Sequence, residues 1–246
     1  MSFHKAGLAL LLVAPLLQVS HVQAADAGTT TLSVGVLHFV PNSSADPLEV
    51  TAGGQMQSIP ESGSKLHAAD TVLAMLGYSI TDNVSVEASL GLPPTLHLDA
   101  TGSLAALGEA GTARLEAPAL LLKYNFGGKD SRLRPALALG VAYVRFTSVQ
   151  LAPAIASGQF LASPVNGTAL TGLTTAKLDS SFAPLASAGL SYRIDPHWIA
   201  SVALSYLPIN GKATLTTDSA VGKVTTVEKF KMNSVSGLLL IGYEFY

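Results

Sequence analysis

The stretch GYSITDNVSVEASLGLPPTLHLDA, residues 77–100, decides the fold. From Val84 onward, apolar side chains alternate with small or polar ones, which is the pattern of a β-strand with one apolar and one polar face. Pro93 and Pro94 interrupt this strand, and the alternation resumes at Thr95. Because proline donates no backbone hydrogen bond, it is expected at the edge of a sheet or at a bulge. The pattern therefore predicts a strand whose pairing is broken partway along its length.

The composition indicates apolar residues that are spread along the chain rather than gathered in one segment. Of the 246 residues, 48% are hydrophobic and 12% are charged, against a usual charged share of about 25%. After residue 24, no uninterrupted apolar run reaches the roughly 20 residues that a transmembrane helix needs. The net charge of -2 and the lack of a basic patch argue against nucleic acid as a partner. The sequence has no cysteine and no His or acidic cluster with metal-ligand spacing, so we expect no disulfide, metal or other cofactor.

The first 24 residues have the three parts of a secretory signal peptide. Lys5 lies in a short basic segment, residues 6–19 form an apolar run, and residues 22–24 are a small-x-small cleavage site. A short membrane anchor is the alternative, but the run is short and ends in polar residues and alanines. We predict a signal peptide at 1–24 and one mature domain at 25–246.

Eight segments of the mature chain are predicted as strands, and many are longer than the about five or six residues usual in soluble sheets. They are residues 29–40, 70–80, 84–98, 112–126, 133–148, 181–194, 198–211 and 229–246. Short turns at 81–83, 127–132 and 195–197 alternate with long loops at 41–69, 99–111, 149–180 and 212–228. This alternation is typical of an up-and-down outer-membrane barrel, with turns in the periplasm and loops outside.

One face of these strands carries large apolar side chains, and the other carries small or polar ones. In segment 133–148, for example, Leu137 and Leu139 alternate with Ala136 and Ala138. A soluble lipocalin-like barrel is the alternative, and it would need polar residues outside. Seven aromatic residues near the short turns or the C-terminus suggest a girdle at one membrane interface: Tyr78, Tyr124, Phe126, Tyr192, Trp198, Tyr243 and Phe245. We predict an all-β fold, an eight-stranded antiparallel transmembrane barrel with a narrow lumen.

Five segments resemble the OmpW/AlkL family of small outer-membrane β-barrel proteins. They are GYSITDNVSVE (77–87), PALLLKYNFG (118–127), RLRPALALGVAY (132–143), GLSYRIDPHW (189–198) and GYEF (242–245), in this order and spacing. The first strand also fits, whereas the long loops match poorly. The family pattern resembles a chain that ends in an aromatic residue at Phe245, and this chain adds Tyr246.

The resemblance implies a barrel in the outer membrane of a Gram-negative bacterium, surrounded by outer-membrane lipid and inserted by the barrel-insertion machinery. It also implies a narrow apolar channel for passive entry of small hydrophobic molecules. The strand pattern by itself indicates only the barrel.

The inward face is expected to change from apolar near the top of the barrel to charged near the bottom. The apolar upper residues are Leu37, Phe39, Leu73, Met75 and Leu121, and the charged floor is Glu87, Lys123 and Arg134. Such a lumen would admit hydrophobic molecules and block their passage downward. The alternative is that these charges are paired only to stabilise the barrel interior, and the two roles are compatible.

Three prolines on neighbouring strands suggest an opening in the barrel wall. Pro93 and Pro94 follow one short turn, and Pro118 precedes the next, at similar distances along their strands. Each removes a backbone donor, so the two strands cannot pair fully at that level. We expect a lateral opening through which an apolar molecule leaves into the outer leaflet. The alternative is that the prolines simply end pairing near the rim.

Two rival functions stay open on sequence grounds. A lipid-modifying enzyme would need an activated nucleophile, but no Gly-x-Ser-x-Gly motif is present. His97 is expected to face inward near the rim, above Ser89, and a lone His there is more often structural, so no catalytic residue is predicted. A structural or adhesive barrel that acts through its loops is the second rival. Loop 149–180 is unusually apolar and is expected either to cap the barrel and capture ligand or to pack as an ordinary loop.

Overall fold

The computed structural model describes residues 27–128, 130–162 and 167–246. The proposed signal peptide at 1–24 lies outside this described part of the chain. The strands are β1 (Thr30–Val40), β2 (Ser43–Ala45), β3 (Glu49–Ala52), β4 (Gln55–Ser58), β5 (Ser62–Leu66), β6 (Ala69–Ser79), β7 (Val84–Gly91), β8 (Thr95–Gly102), β9 (Glu109–Glu116), β10 (Ala119–Asn125), β11 (Leu133–Leu151), β12 (Gly172–Leu178), β13 (Ser181–Arg193), β14 (Trp198–Ser219) and β15 (Gly222–Phe245). Helix α1 (Pro153–Ala156) and two 3-10 turns (Ala105–Leu107 and Gln159–Leu161) complete the described elements.

Eight of these strands close into a barrel. Strands β1, β6, β7, β10, β11, β13, β14 and β15 each pair antiparallel with the next, and β15 pairs with β1 to complete the ring. The register of closure runs from Thr30 opposite Phe245 to Val40 opposite Val235. The predicted eight-stranded antiparallel barrel is thereby confirmed. No helix among the described residues is long and apolar enough to cross a membrane.

The period of two along each strand separates an apolar outer face from the lumen. On β11, Leu137 and Leu139 are exposed on the outside, whereas Ala136 and Ala138 are buried inside. The same exposure of large apolar side chains recurs around the ring at Val36, Leu76, Leu122, Val202, Leu204 and Leu239. An outward band of this kind fits contact with lipid hydrocarbon.

Two segments predicted as single strands are each two strands. Segment 84–98 divides into β7 and β8 at Leu92-Pro93-Pro94, and segment 112–126 divides into β9 and β10 at Ala117-Pro118. The physical reason is the proline nitrogen, which donates no ladder bond. Above the break, β8 pairs with β5 and β9 and no longer continues the β7 pairing with β6.

The long loops contain more regular structure than the sequence predicts. Residues 212–228 are not a loop: they continue the β14–β15 hairpin up to a turn at Ser219–Gly222. Residues 41–69 contain β2 to β5, of which β2 and β3 pair with β15. Threonine and valine in these segments favour strands, and an existing strand edge gives them a pairing partner. The barrel thus continues outward as a second, sheet-lined chamber.

Gly140 on β11 is a point where two barrel strands approach too closely for a side chain. A Cβ atom there would overlap the carbonyl oxygen of Leu120 and lie 2.7 Å from the Cα of Leu121. Gly237 on β15 has no atom within 4 Å of its equivalent position. We expect Gly140→Ala to lower the free energy of unfolding by about 1–3 kcal/mol through overpacking, and Gly237→Ala to leave it nearly unchanged. Urea unfolding in lipid vesicles measures both, and equal unfolding midpoints would contradict this account.

Candidate functional site

An apolar cavity of about 190 Å³ lies inside the barrel. Side chains from β1, β6 and β10 line one side of it, and these include every residue predicted for the apolar lumen: Leu37, Phe39, Leu73, Met75 and Leu121. Phe39, Leu73 and Leu121 are buried. The opposite wall, from β11, β13 and β14, carries small side chains such as Ala138, Ser187 and Ala203. Space remains in this eight-stranded lumen because one half of its wall is built from small residues.

Charged side chains lie below the apolar cavity, toward the short turns. The Lys123 ammonium donates to Glu87 Oε1 at 2.9 Å, and both side chains are largely buried. Arg134 does not join this pair: its Nη2 donates to the carbonyl oxygen of Asp82 at 2.8 Å. These three residues, predicted together as a floor, are therefore brought to one end of the lumen but with separate partners.

A second ion pair at this end is missing from the sequence prediction. Arg193 of β13 and Glu244 of β15 are almost fully buried and lie 3.3 Å apart, measured from Nη2 to Oε2. Tyr246, the additional terminal aromatic residue, places its hydroxyl 3.0 Å from the same Glu244 oxygen. The alternation of β13 and β15 marks both ion-pair residues as inward-facing. We call Glu87, Lys123, Arg134, Arg193 and Glu244 the floor.

The barrel wall is interrupted beside the apolar cavity. The β7–β10 ladder ends where Ser89 faces Ala119, and the β8–β9 ladder begins where Thr95 faces Arg114. We call the intervening residues, 90–94 on one side and 115–118 on the other, the seam. Among the described residues, one backbone bond crosses it, from the Leu115 nitrogen to the Pro94 carbonyl oxygen at 3.1 Å.

The three prolines lie within this seam. Each side of the seam remains bonded to the strand next to it. The Leu92 N–H donates to the carbonyl oxygen of Val72 on β6 at 2.8 Å, and the Tyr143 N–H of β11 donates to the Pro118 carbonyl oxygen at 2.9 Å. The seam residues Gly91, Leu92, Pro94, Leu115 and Ala117 line the apolar cavity. The cavity therefore reaches the barrel wall at the place where strand pairing is interrupted.

The seam also reverses which side chains of one strand face inward. Between its two ladders the β7–β8 side has one residue more than the β10–β9 side. Below the seam, Glu87 and Ser89 line the lumen, but above it Leu96 is buried and His97 is exposed. A shift of one residue exchanges the two faces of a strand. The prediction that His97 faces inward above Ser89 is therefore wrong, and its imidazole instead lies 3.2 Å from Glu109 Oε1 on the outside.

An apolar layer closes the top of the cavity. Leu96, Ile209 and Met232 are fully buried and pack in one cluster with Phe39 and Leu207, which line the cavity below. Above the layer lies an outer cavity of about 130 Å³, lined in part by Leu96. The three side chains that form this layer are apolar, and Ser234, the next inward residue of β15 after Met232, is also buried.

Parts of segment 149–180 that the structure describes contribute to the wall of the outer cavity. Ile155 and Phe160 line it, and Leu161 is buried in the same cluster. In the part of the chain that the structure describes, no three His, Asp or Glu side chains are grouped so as to hold a metal ion.

The comparisons with known proteins agree with this architecture. The family model described as the OmpW family matches residues 26–245. Outer membrane protein W of Vibrio cholerae is 29% identical over 242 residues, which cover 97% of each chain. Outer membrane protein W of Salmonella typhi is 26% identical over 168 residues, 68% of this chain and 69% of the relative.

Two solved structures share the fold. The crystal structure of the outer membrane protein OprG from Pseudomonas aeruginosa has a TM-score of 0.75 at 23% identity, and covers 92% of this chain and 99% of its own. The solid-state NMR structure of AlkL in lipid bilayers has a TM-score of 0.57 at 18% identity, with coverage of 96% and 97%. The barrel, the family match and these relatives together place the protein in the bacterial outer membrane, and the chain belongs to the OmpW family.

Proposed function

We propose that this protein is a passive channel for small hydrophobic molecules, which enter from outside, occupy the apolar cavity and leave sideways through the seam into the outer leaflet. The observation that carries the proposal is that one apolar cavity meets a charged floor below and an interrupted strand ladder at its side.

The size and lining of the cavity support an apolar ligand. In another protein, a dry apolar cavity of about 150 Å³ binds benzene, and the cavity here measures about 190 Å³. Its upper wall offers large aliphatic and aromatic side chains such as Phe39 and Leu73. Apolar surface that leaves water on entry contributes about 25 cal/mol per Å². Several hydroxyl groups in the lining are already bonded to one another, as in the pairs Ser205–Ser187 and Ser201–Ser191, so a sugar would have to compete with these bonds for partners.

The floor favours a sideways exit. To move down, an apolar molecule would have to separate paired charges that it cannot itself solvate. The seam has no comparable obstacle, because few backbone bonds join its two sides. Opening an intact ladder would leave backbone groups unpaired against lipid, which is costly. At the seam the ladder is already interrupted, so passage of the ligand there breaks fewer backbone bonds.

The first test is whole-cell uptake of n-octane beside a sugar of similar size, with and without this protein in the outer membrane. We expect faster entry of octane and no change for the sugar, because the lumen offers apolar contact and a closed floor. Faster entry of both would identify a general pore. No effect on either would favour a structural or adhesive barrel, or an enzyme.

The second test addresses the seam. Replacing Pro93, Pro94 and Pro118 together with valine restores three backbone donors. Position 118 faces β11, because the Pro118 carbonyl already accepts a hydrogen bond from that strand, so only the donors at positions 93 and 94 can pair across the seam. Each such bond contributes about 0.5–1.5 kcal/mol to the barrier, and octane uptake should fall by about fivefold or more. Pro184→Val is the matched control, because Pro184 lies on β13 at a similar height and pairs opposite Val141, away from the seam. Unchanged uptake by a folded triple variant would contradict the lateral route.

The third test addresses the floor. The double change Glu87→Ser and Lys123→Ser removes both members of one ion pair from the lumen, so neither charge of that pair is left without its partner. We expect the ionic conductance of the protein in planar bilayers to rise severalfold while octane uptake into cells stays the same. The control removes the exposed pair His38 and Asp70, whose side chains lie 2.7 Å apart on the outside of the barrel. A conductance that changes equally in both variants would mean that the floor is not the barrier.

A further inference from the structure

The outer cavity is a second apolar chamber, and its wall carries one ionisable group. It lies between the extended β14–β15 hairpin, strands β5, β8 and β9, and the loop around α1. Apolar residues such as Leu48, Ile155, Phe160, Leu215 and Phe230 form most of its lining. Glu228 is the only ionisable side chain among the described lining residues.

Glu228 is held in this chamber by the register of β15. Inward positions on this strand are every second residue, so Thr226, Glu228 and Phe230 follow one another along the inner wall. The Glu228 side chain is 7% exposed, although the residue lies well outside the lipid-facing part of β15. Carboxyl groups are rarely buried to this extent unless they are paired or serve a function.

The partner of Glu228 satisfies only one of its oxygens. Ser64 Oγ donates to Oε1 at 2.9 Å, from β5 on the facing wall. Among the described residues, no second side chain or backbone group bonds to this carboxyl, and Oε2 is left to the chamber. Burial raises the pKa of Glu228, and the hydrogen bond from Ser64 lowers it by less. No cation among the described residues lowers this pKa, so the neutral acid persists to a higher pH than for an exposed glutamate.

A buried carboxyl with one free oxygen in an apolar chamber selects for a particular chemistry. A hydroxyl group accepts a hydrogen bond from the neutral acid and donates one to the carboxylate, so it fits either protonation state. A fatty acid would bring a second acid group into the same apolar space. An ammonium group would need the charged carboxylate as its partner, and the apolar chamber disfavours burial of both charges. A pure hydrocarbon gains nothing from Glu228.

We propose that Glu228, positioned by Ser64, is a specificity-determining residue that binds the hydroxyl group of small apolar alcohols in the outer cavity. This inference deepens the proposed function and rests on it. The alkyl part of the alcohol contacts Leu215, Phe230 and their neighbours. The alcohol is then held directly above the apolar layer, which separates the outer cavity from the apolar cavity inside the barrel (the inner cavity).

The test uses the full-length protein in lipid bilayers, titrated with 1-octanol or n-octane and followed by NMR. Signals of Phe230 and Leu215 report occupancy of the chamber, and the Glu228 carboxyl carbon reports its hydrogen bonding. We expect both probes to move the Phe230 and Leu215 signals, and only octanol to move the carboxyl signal. Glu228→Leu should weaken octanol about tenfold, the value of one hydrogen bond of about 1.4 kcal/mol, and leave octane unchanged.

Two further variants separate binding from folding. Glu228→Gln has the same shape and can still donate and accept, so it should retain most of the octanol affinity. Asp218→Leu is the matched control, because Asp218 is an exposed acid on the same hairpin. Equal octanol affinity in wild type and Glu228→Leu would overturn the proposal. Equal weakening of octanol and octane by Glu228→Leu would also overturn it, because the residue would then only support the chamber.

Failure of this inference is distinguishable from failure of the proposed function. If wild-type cells take up octane but the NMR titration shows no octanol preference, the channel stands and the alcohol site does not. If wild-type cells take up no octane, the proposed function itself fails, and the alcohol site loses the route on which it rests.

Discussion

The requirement that every backbone donor and acceptor facing lipid be bonded controls this structure. Eight strands meet it by closing on themselves, from the β1–β6 ladder round to the β1–β15 ladder. Closure fixes the alternation, because each strand must present large apolar side chains outward and leave the lumen to the rest. Small inward residues such as Ala138 and Ala203 then determine how much space remains inside. The seam is the place where the requirement is relaxed, and prolines, which lack the donor, occupy it.

The period of two, the short turns and the aromatic residues were sufficient to predict the barrel, because lipid imposes a simple rule on strand sequences. Single inward residues such as Phe39 and Leu121 follow from the same rule. The rule no longer applies beyond the membrane, because both faces of a strand can be polar where the outer face contacts water. Residues 212–228, rich in threonine, resemble a loop for that reason, although pairing makes them a hairpin. Glu228 lies in this hairpin and could not be recognised as an inward residue.

Contacts across the lumen also lie beyond what strand patterns predict. Alternation marks Arg193 and Glu244 as inward, but their partnership depends on how the barrel curves and how β13 and β15 are staggered. The same limit explains Arg134, which bonds to a backbone carbonyl in a turn instead of to Glu87. His97 was misplaced for a different reason. Its strand contains one extra residue at the seam, and a sequence pattern continued through two prolines does not reveal that reversal.

The one additional residue on the β7–β8 side of the seam affects both the side wall of the inner cavity and the apolar layer above it. Because Pro93 and Pro94 shift the strand by one position, Leu96 faces inward and joins Met232 and Ile209 in the apolar layer. Without the shift, His97 would occupy that place, and a polar imidazole would interrupt the layer. The prolines that interrupt the wall therefore also place an apolar side chain, Leu96, in the layer between the two cavities. The cavity below the layer thus has apolar side chains above it, paired charges beneath it and an interrupted ladder at its side.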